Sequence, residues 1–135
     1  MKIFLDTAPI IYLIDADERY VEKIKNFLQN TFDRGDSIVT SVITAEEYLV
    51  HPYKTKNSEK ISDFYSFISE CKVEVVDINL EISDKAALIR AEYPFFKSMD
   101  ALQLSSAVKS GCSVFYTNDK QLKQFREIEI SVVDE

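Results

Sequence analysis

Lys2–Ile14 reads KIFLDTAPIIYLI, and the break inside it decides the fold. Ile3, Phe4 and Leu5 form a short β-prone run that stops at an acid, Asp6. Thr7-Ala8-Pro9 then suits a helix start, because proline in a first turn lacks only an N–H that would have no partner there. The reading is strand, acid, helix. Working outward, further β-rich runs occur at Ile38–Thr40, Val73–Ile78, Val114–Thr117 and Ile128–Val133. Between them the apolar period becomes helical. Tyr20, Ile24, Phe27 and Leu28 form one stripe, Ile61, Phe64, Tyr65, Ile68 and Cys71 a second, and Ile82, Ala86, Ile89 and Tyr93 a third; all three read as core faces. Strands alternating with helices predict a single α/β domain over residues 1–135, with a mostly parallel central sheet of about five strands flanked by helices. Gly and Pro together number five in 135 residues, where average usage would give about sixteen, so loops are expected to be short. The most polar stretch, HPYKTKNSEK (His51–Lys60), reads as a loop between helices.

Composition closes several routes to function. Gly35 and Gly111 are too far apart for a glycine-rich phosphate loop or a dinucleotide fingerprint, and a single histidine, His51, excludes a two-histidine zinc motif. The balance of 16 basic and 23 acidic residues, net −7, argues against a broad cationic grip on nucleic acid. Any such role must rest on local basic patches or on bound metal. Cys71 and Cys112 sit in apolar contexts, ISECKVEV and KSGCSVF, and read as reduced core residues. No stretch approaches the roughly 18 apolar residues of a membrane span, so no membrane partner and a cytoplasmic location are expected.

In open α/β sheets ligands bind beyond the carboxyl ends of the strands, and acids stand at those ends here. Asp6 ends the first strand, and Glu46 and Glu47 begin the helix after the second. Asp100 opens the helical run MDALQLSSAVKSG, which Gly111 can close. Asp119 follows VFYTN directly. Each acid also has a purely structural role open to it. Thr44-x-x-Glu47 has the form of a capping box, Asp100 lies two residues after a possible Ser98 N-cap, and Asp119 can begin the next helix. Convergence would demand more. Two carboxylates about 4 Å apart repel by roughly 4 kcal/mol at an effective dielectric near 20, so acids meeting in one pocket need protons or bridging cations. Oxygen ligands without His or Cys select a hard ion, Mg²⁺ or Mn²⁺. Phosphodiester hydrolysis is the chemistry such a centre performs, by lowering the pKa of a water and countering charge on the leaving oxygen.

The blocks FLDTAPIIYLI (4–14), TSVITAEEYLVHPY (40–53), SMDALQLSSAVKSGC (98–112) and VFYTND (114–119) together resemble the signature blocks of PIN-domain ribonucleases, in particular the VapC-type toxins of toxin–antitoxin modules. The resemblance runs from Asp6 to Asp119. It implies a metal-dependent endoribonuclease whose catalytic, metal-binding acids fall on Asp6, Glu47, Asp100 and Asp119, with Glu47 rather than Glu46 matching the acid three residues after Thr44. Asp6 and Asp100 would hold the principal ion and share Glu47, while Asp119 completes a second site or positions water. Many members carry Asn two residues after the first acid, where this chain has Ala8. Thr7, Thr44, Thr117 and Asn118 are candidates for orienting the carboxylates.

The resemblance also implies an RNA substrate (tRNA, rRNA or mRNA), products bearing 5′-phosphate, a small antitoxin that inserts a basic residue toward the acids, and a homodimer. Ile10, Ile11, Tyr12 and Leu13 are candidate apolar contacts for such partners. Lys54, Lys56, Lys60, Arg90, Lys97, Lys120, Lys123 and Arg126 are candidates to meet phosphates, and Tyr53, Tyr93, Phe95 and Phe96 to stack bases. Two other readings stay open at this point. One is a receiver-like phosphoacceptor domain of similar size and acidity; the other is a non-catalytic interaction module whose acids only cap helices.

Overall fold

The computed structural model describes residues 1–135. Five strands, β1 (Lys2–Leu5), β2 (Ser37–Ser41), β3 (Glu74–Val76), β4 (Val114–Thr117) and β5 (Glu129–Val132), form one sheet in the order β3-β2-β1-β4-β5. Every pairing is parallel. Parallel neighbours need crossovers; six helices supply those from β1 through to β4, namely α1 (Thr7–Ile14), α2 (Val21–Asp33), α3 (Val42–Lys54), α4 (Ser58–Glu70), α5 (Leu80–Glu92) and α6 (Ser98–Lys109), while β4 reaches β5 through a short 3₁₀ turn (Lys120–Gln124).

Alternation along the strands builds a core on each face. Ile3, Leu5, Ile38 and Tyr116 pack with Ile10 of α1, Ile24 and Leu28 of α2, Tyr48 of α3 and Phe64 and Phe67 of α4. Phe4, Val39 and Phe115 pack with Ala86 and Ile89 of α5 and with Ala101, Leu104 and Ala107 of α6. Phe4 and Phe115, neighbours on β1 and β4, stack with ring centroids 5.1 Å apart; burying each contributes about 2–3 kcal/mol. The order rises from β1 through β2 to β3 on one side and continues with β4 and β5 on the other. A switch point therefore lies between β1 and β4, where parallel α/β sheets open a crevice. Receiver domains are wound 2-1-3-4-5, so this strand order removes the phosphoacceptor reading.

Several local expectations are corrected. The third strand is shorter than Val73–Ile78: an edge strand paired only to β2, it ends at Val76, because Asn79 turns away to cap α5 by accepting from Ile82 N at 2.9 Å. Tyr65 is exposed rather than core, because α4 turns Phe64 onto the ring of Tyr48 at 4.9 Å and leaves the adjacent side chain facing out. Within His51–Lys60, His51 to Lys54 form the last turn of α3 with Pro52 buried inside it, and α4 starts at Ser58; the loop is Thr55–Asn57 alone. Its tightness rests on Lys56 at φ 54° and on the Asn57 side chain, which caps α4 by accepting from Lys60 N at 3.1 Å. Gly111 does close α6. At φ 76° it lets the N–H of Cys112 reach Ala107 O at 3.0 Å and its own N–H reach Val108 O at 3.1 Å, a Schellman ending. Both cysteines are free thiols.

Candidate functional site

Asp6 continues the β1–β4 ladder for one residue, its N–H donating to Tyr116 O at 2.9 Å. That bond sets its carboxylate over the switch point. One oxygen, Oδ2, accepts from the Thr117 hydroxyl at 2.8 Å; the other, Oδ1, accepts from the Thr7 N–H at 2.9 Å, which also caps α1, and from Gln103 Nε2 at 3.4 Å. Burial pushes the Asp6 carboxyl up to about 6, against the lowering effect of the Thr117 and Thr7 hydrogen bonds and with further upward pressure from Glu47 and Asp100. Desolvation wins over hydrogen bonding, and like charge adds to it.

The other acids arrive on different elements. Glu47 projects from the second turn of α3 and accepts from the Thr7 hydroxyl at 2.6 Å. The expected Thr44–Glu47 capping box is not formed. β2 runs directly into α3, so Ser41 is the N-cap, its hydroxyl accepting from Ile43 N at 3.1 Å, and Thr44 already lies inside the helix. Freed from capping, Glu47 reaches across to α1; Glu46 is equally exposed but makes no side-chain hydrogen bond to Thr7. Asp100 accepts from the Lys97 N–H at 3.2 Å, which makes Lys97 rather than Ser98 the N-cap of α6. Burial and the neighbouring Asp119 raise its carboxyl above the usual range, opposed by the Lys97 N–H and charge. Asp119 caps the short 3₁₀ turn Lys120–Gln124, accepting from Gln121 N at 3.0 Å, while its own N–H donates to Thr117 Oγ1 at 3.1 Å. Thr117 thus ties Asp6 to Asp119.

Like-charge coupling runs from Glu47 to Asp6, from Asp6 to Asp100 and from Asp100 to Asp119. No three acidic, cysteine or histidine side chains stand close enough together to form a ready-made metal cage. The acids ring the carboxyl ends of β1 and β4 without closing on a point. Beside Glu47 opens a cavity of about 430 Å³ between α1, α3 and α4, lined in part by Asp15, His51, Asn57 and Lys60.

Of the other candidates, Ile10 is fully buried and unavailable to a partner, since α1 turns it under the sheet; Ile11, Tyr12 and Leu13 are half-buried. Phe96 is core, stacked on Tyr93 at 5.0 Å, while Tyr53 and Phe95 are exposed. Lys60, Lys120 and Lys123 are paired with Asp15, Asp134 and Glu135; Lys54, Lys56, Arg90, Lys97 and Arg126 make no ion pair. Asn118 makes no hydrogen bond to the four candidate acids; its side chain meets the Tyr12 hydroxyl and the Asp134 N–H. Sequence reasoning missed Gln103. It is 2% exposed and holds Ser41, Thr44 and Asp6 together. The available signal was an amide one turn after Asp100, flanked by the core positions Ala101, Leu104 and Ala107.

Fold and site together define a doubly wound parallel α/β domain with acids gathered around the carboxyl ends of its central strands. A family model for the PIN domain matches residues 3–128, and the chain belongs to the PIN domain family. No curated protein sequence matches it. Among solved structures it is similar to VapBC2 from Rickettsia felis bound to a promoter DNA fragment (20% identity, 98% of each chain covered, TM-score 0.82). It is also similar to VapBC-1 from nontypeable Haemophilus influenzae (20% identity, 100% of each chain, TM-score 0.74). A third is VapC20 of Mycobacterium tuberculosis, a toxin that cleaves the sarcin–ricin loop (18% identity, 94% of this chain and 98% of that one, TM-score 0.67).

Proposed function

We propose that this chain is a divalent-metal-dependent endoribonuclease that hydrolyses RNA phosphodiester bonds as the toxin of a toxin–antitoxin pair. The observation that carries the reading is Asp6, a carboxylate fixed at the switch point of a PIN fold, whose proton affinity is raised chiefly by burial and further by the like charges of Glu47 and Asp100. A cation relieves that repulsion. The donor set suits Mg²⁺ or Mn²⁺: all four candidates are carboxylates. Absence of a preformed cage of three is compatible with Mg²⁺, which is commonly held through one or two carboxylates, waters and substrate phosphate.

In this reading Asp6 and Asp100 hold the principal ion, Glu47 is shared, and Asp119 serves the outer side of the site. When bound, the ion supplies a water of lowered pKa and positive charge against the phosphate. The protein's part is orientation. Thr117 and the Thr7 N–H pin both oxygens of Asp6, and the Thr7 hydroxyl pins Glu47. Lys97, three residues before Asp100, and Arg126 make no ion pair and are available to RNA phosphates, and exposed Phe95 offers a face for an unpaired base.

Partners follow from the same reading. The similar VapBC structures are toxin–antitoxin complexes by name, which supports a small antitoxin partner, and the cluster of acids gives a basic antitoxin side chain its target. Val42, Val50 and Tyr53 on the outer face of α3, with Met99 at the start of α6, leave an exposed apolar stripe suited to a homodimer. The test is direct. Purified protein incubated with tRNA and rRNA fragments should cleave them with Mg²⁺ or Mn²⁺ and not with EDTA, leaving 5′-phosphate ends, and Asp100→Asn should abolish cleavage. Equal cleavage by wild type and Asp100→Asn would exclude this site.

A further inference from the structure

We propose that Gln103 is a positioning residue that sets Asp6 and Glu47 in register through one directional hydrogen-bond chain, an inference that rests on the metal-dependent reading above. Each hydroxyl has one proton, so the directions can be worked out. The Thr7 proton goes to Glu47 Oε1 at 2.6 Å. In the Thr7–Thr44 contact of 3.2 Å, Thr44 must therefore donate. Thr44 in turn accepts from Gln103 Nε2 at 2.8 Å, and the same nitrogen lies 3.4 Å from Asp6 Oδ1. Ser41 already accepts from Ile43 N, so its proton is free to reach Gln103 Oε1 at 2.5 Å. The amide orientation is fixed from both ends: its NH₂ faces a carboxylate and its oxygen faces a hydroxyl donor.

The chain thus runs from Ser41 through Gln103, Thr44 and Thr7 to Glu47, with a branch from Gln103 to Asp6, and both branches end on candidate ligands. It crosses α6, α3 and α1, joining elements that have no common strand. Ser41, Thr44 and Gln103 are almost wholly buried, and no buried side-chain polar atom in the molecule lacks a partner. A satisfied buried network of this kind specifies one arrangement. An apolar residue at 103 would pack among Ala101, Leu104 and Ala107 without serving either carboxylate. Outer hydrogen-bond partners that orient ligating groups have large effects on metal affinity.

The test is the Mn²⁺ dissociation constant of the folded protein, read from the electron paramagnetic resonance of free Mn²⁺ well below the melting temperature of each variant. Thr44→Val and Gln103→Leu are expected to weaken binding by about tenfold or more. Thr44→Ser, which keeps the hydroxyl, is expected to restore affinity to within about twofold, and the double variant Thr44→Val/Gln103→Leu to be no weaker than the worse single one, because both cut one chain. A purely structural role predicts a lower melting temperature with unchanged Mn²⁺ affinity. Where Gln103→Leu fails to fold, the Thr44→Val and Thr44→Ser pair decides. Wild type that binds Mn²⁺ and cleaves RNA, with Thr44→Val binding equally well, overturns this inference alone. Wild type that does not bind Mn²⁺ overturns both this inference and the reading of the site.

Discussion

Asp6→Asn should stabilise the protein when no divalent ion is present. A rise of the Asp6 carboxyl from 3.8 to about 6 corresponds to about 3 kcal/mol of excess cost for the charged form in the folded state, at about 1.4 kcal/mol per tenfold change in proton affinity. The sign follows from linkage. A carboxyl with a raised folded value costs stability from the pH at which the unfolded chain ionises it while the native state still holds the proton. The penalty is absent below about pH 4, grows between about pH 4 and 6, and is essentially complete above about 7. Asparagine escapes the charge and keeps an oxygen for the Thr7 N–H. Its NH₂, however, then takes the place of Oδ2 and faces the Thr117 hydroxyl, a donor to Asp6 in the native protein, and loss of charge-assisted bonding takes back roughly half the gain. A net stabilisation of about 1–2 kcal/mol at pH 7.5 remains, or about 3–8 °C in melting temperature for a domain of this size. The assay is differential scanning fluorimetry in EDTA across pH 4–8, repeated with excess Mn²⁺. The variant should melt higher at pH 7.5, and the gap should close towards pH 4. Added Mn²⁺ should reverse the order, because an ion at about 100 times its dissociation constant stabilises only the protein that binds it, by about 2.7 kcal/mol. An Asp6→Asn protein that melts lower than wild type in EDTA at pH 7.5, with both shifted alike by Mn²⁺, would refute the reasoning.

Glu47→Gln is expected to reduce RNA cleavage at saturating metal by about a hundredfold or more, while Glu46→Gln changes it less than about twofold, since only Glu47 is held to Thr7; steady-state rates on one RNA settle the pair. Val50→Glu combined with Tyr53→Glu should convert a dimer to a monomer in sedimentation equilibrium without lowering the melting temperature of the fold, because both side chains are exposed on α3. Phe115→Ala, at a fully buried ring stacked on Phe4, should cost about 3–5 kcal/mol by denaturant titration.

The fold was legible because its signals are local and repeated. Ile3–Leu5 followed by Asp6 and a proline-bearing turn already states a strand, a switch and a helix, and four more β-rich runs separated by helical stripes leave little room for another class. Family blocks then placed Asp6, Glu47, Asp100 and Asp119 on elements that the structure brings to one edge of the sheet. Illegible features depended on where one element hands over to the next. Ser41 ends β2 and caps α3 at once, so Thr44 lies one turn further into the helix than its capping-box spacing suggested. Lys97, a residue with no capping propensity, begins α6 because Asp100 reaches back to its N–H. Pro52 stays inside α3 because it is buried there. Gln103 was hidden for a different reason. Its neighbours 101, 104 and 107 all point to the core, so an amide among them was the one local sign, and its partners lie 59, 62 and 97 residues away.

The central claim is that carboxylates carried by separate strand ends and helices jointly hold one divalent ion at the switch point. Anomalous diffraction from crystals soaked in Mn²⁺ measures this directly. The wild type should show a peak about 2.0–2.3 Å from an Asp6 oxygen, with Asp100 either at that distance or joined to the ion through one water, and Asp6→Asn should lose it. A wild-type map with no peak at that edge at millimolar Mn²⁺, or the same peak retained in Asp6→Asn, would contradict it.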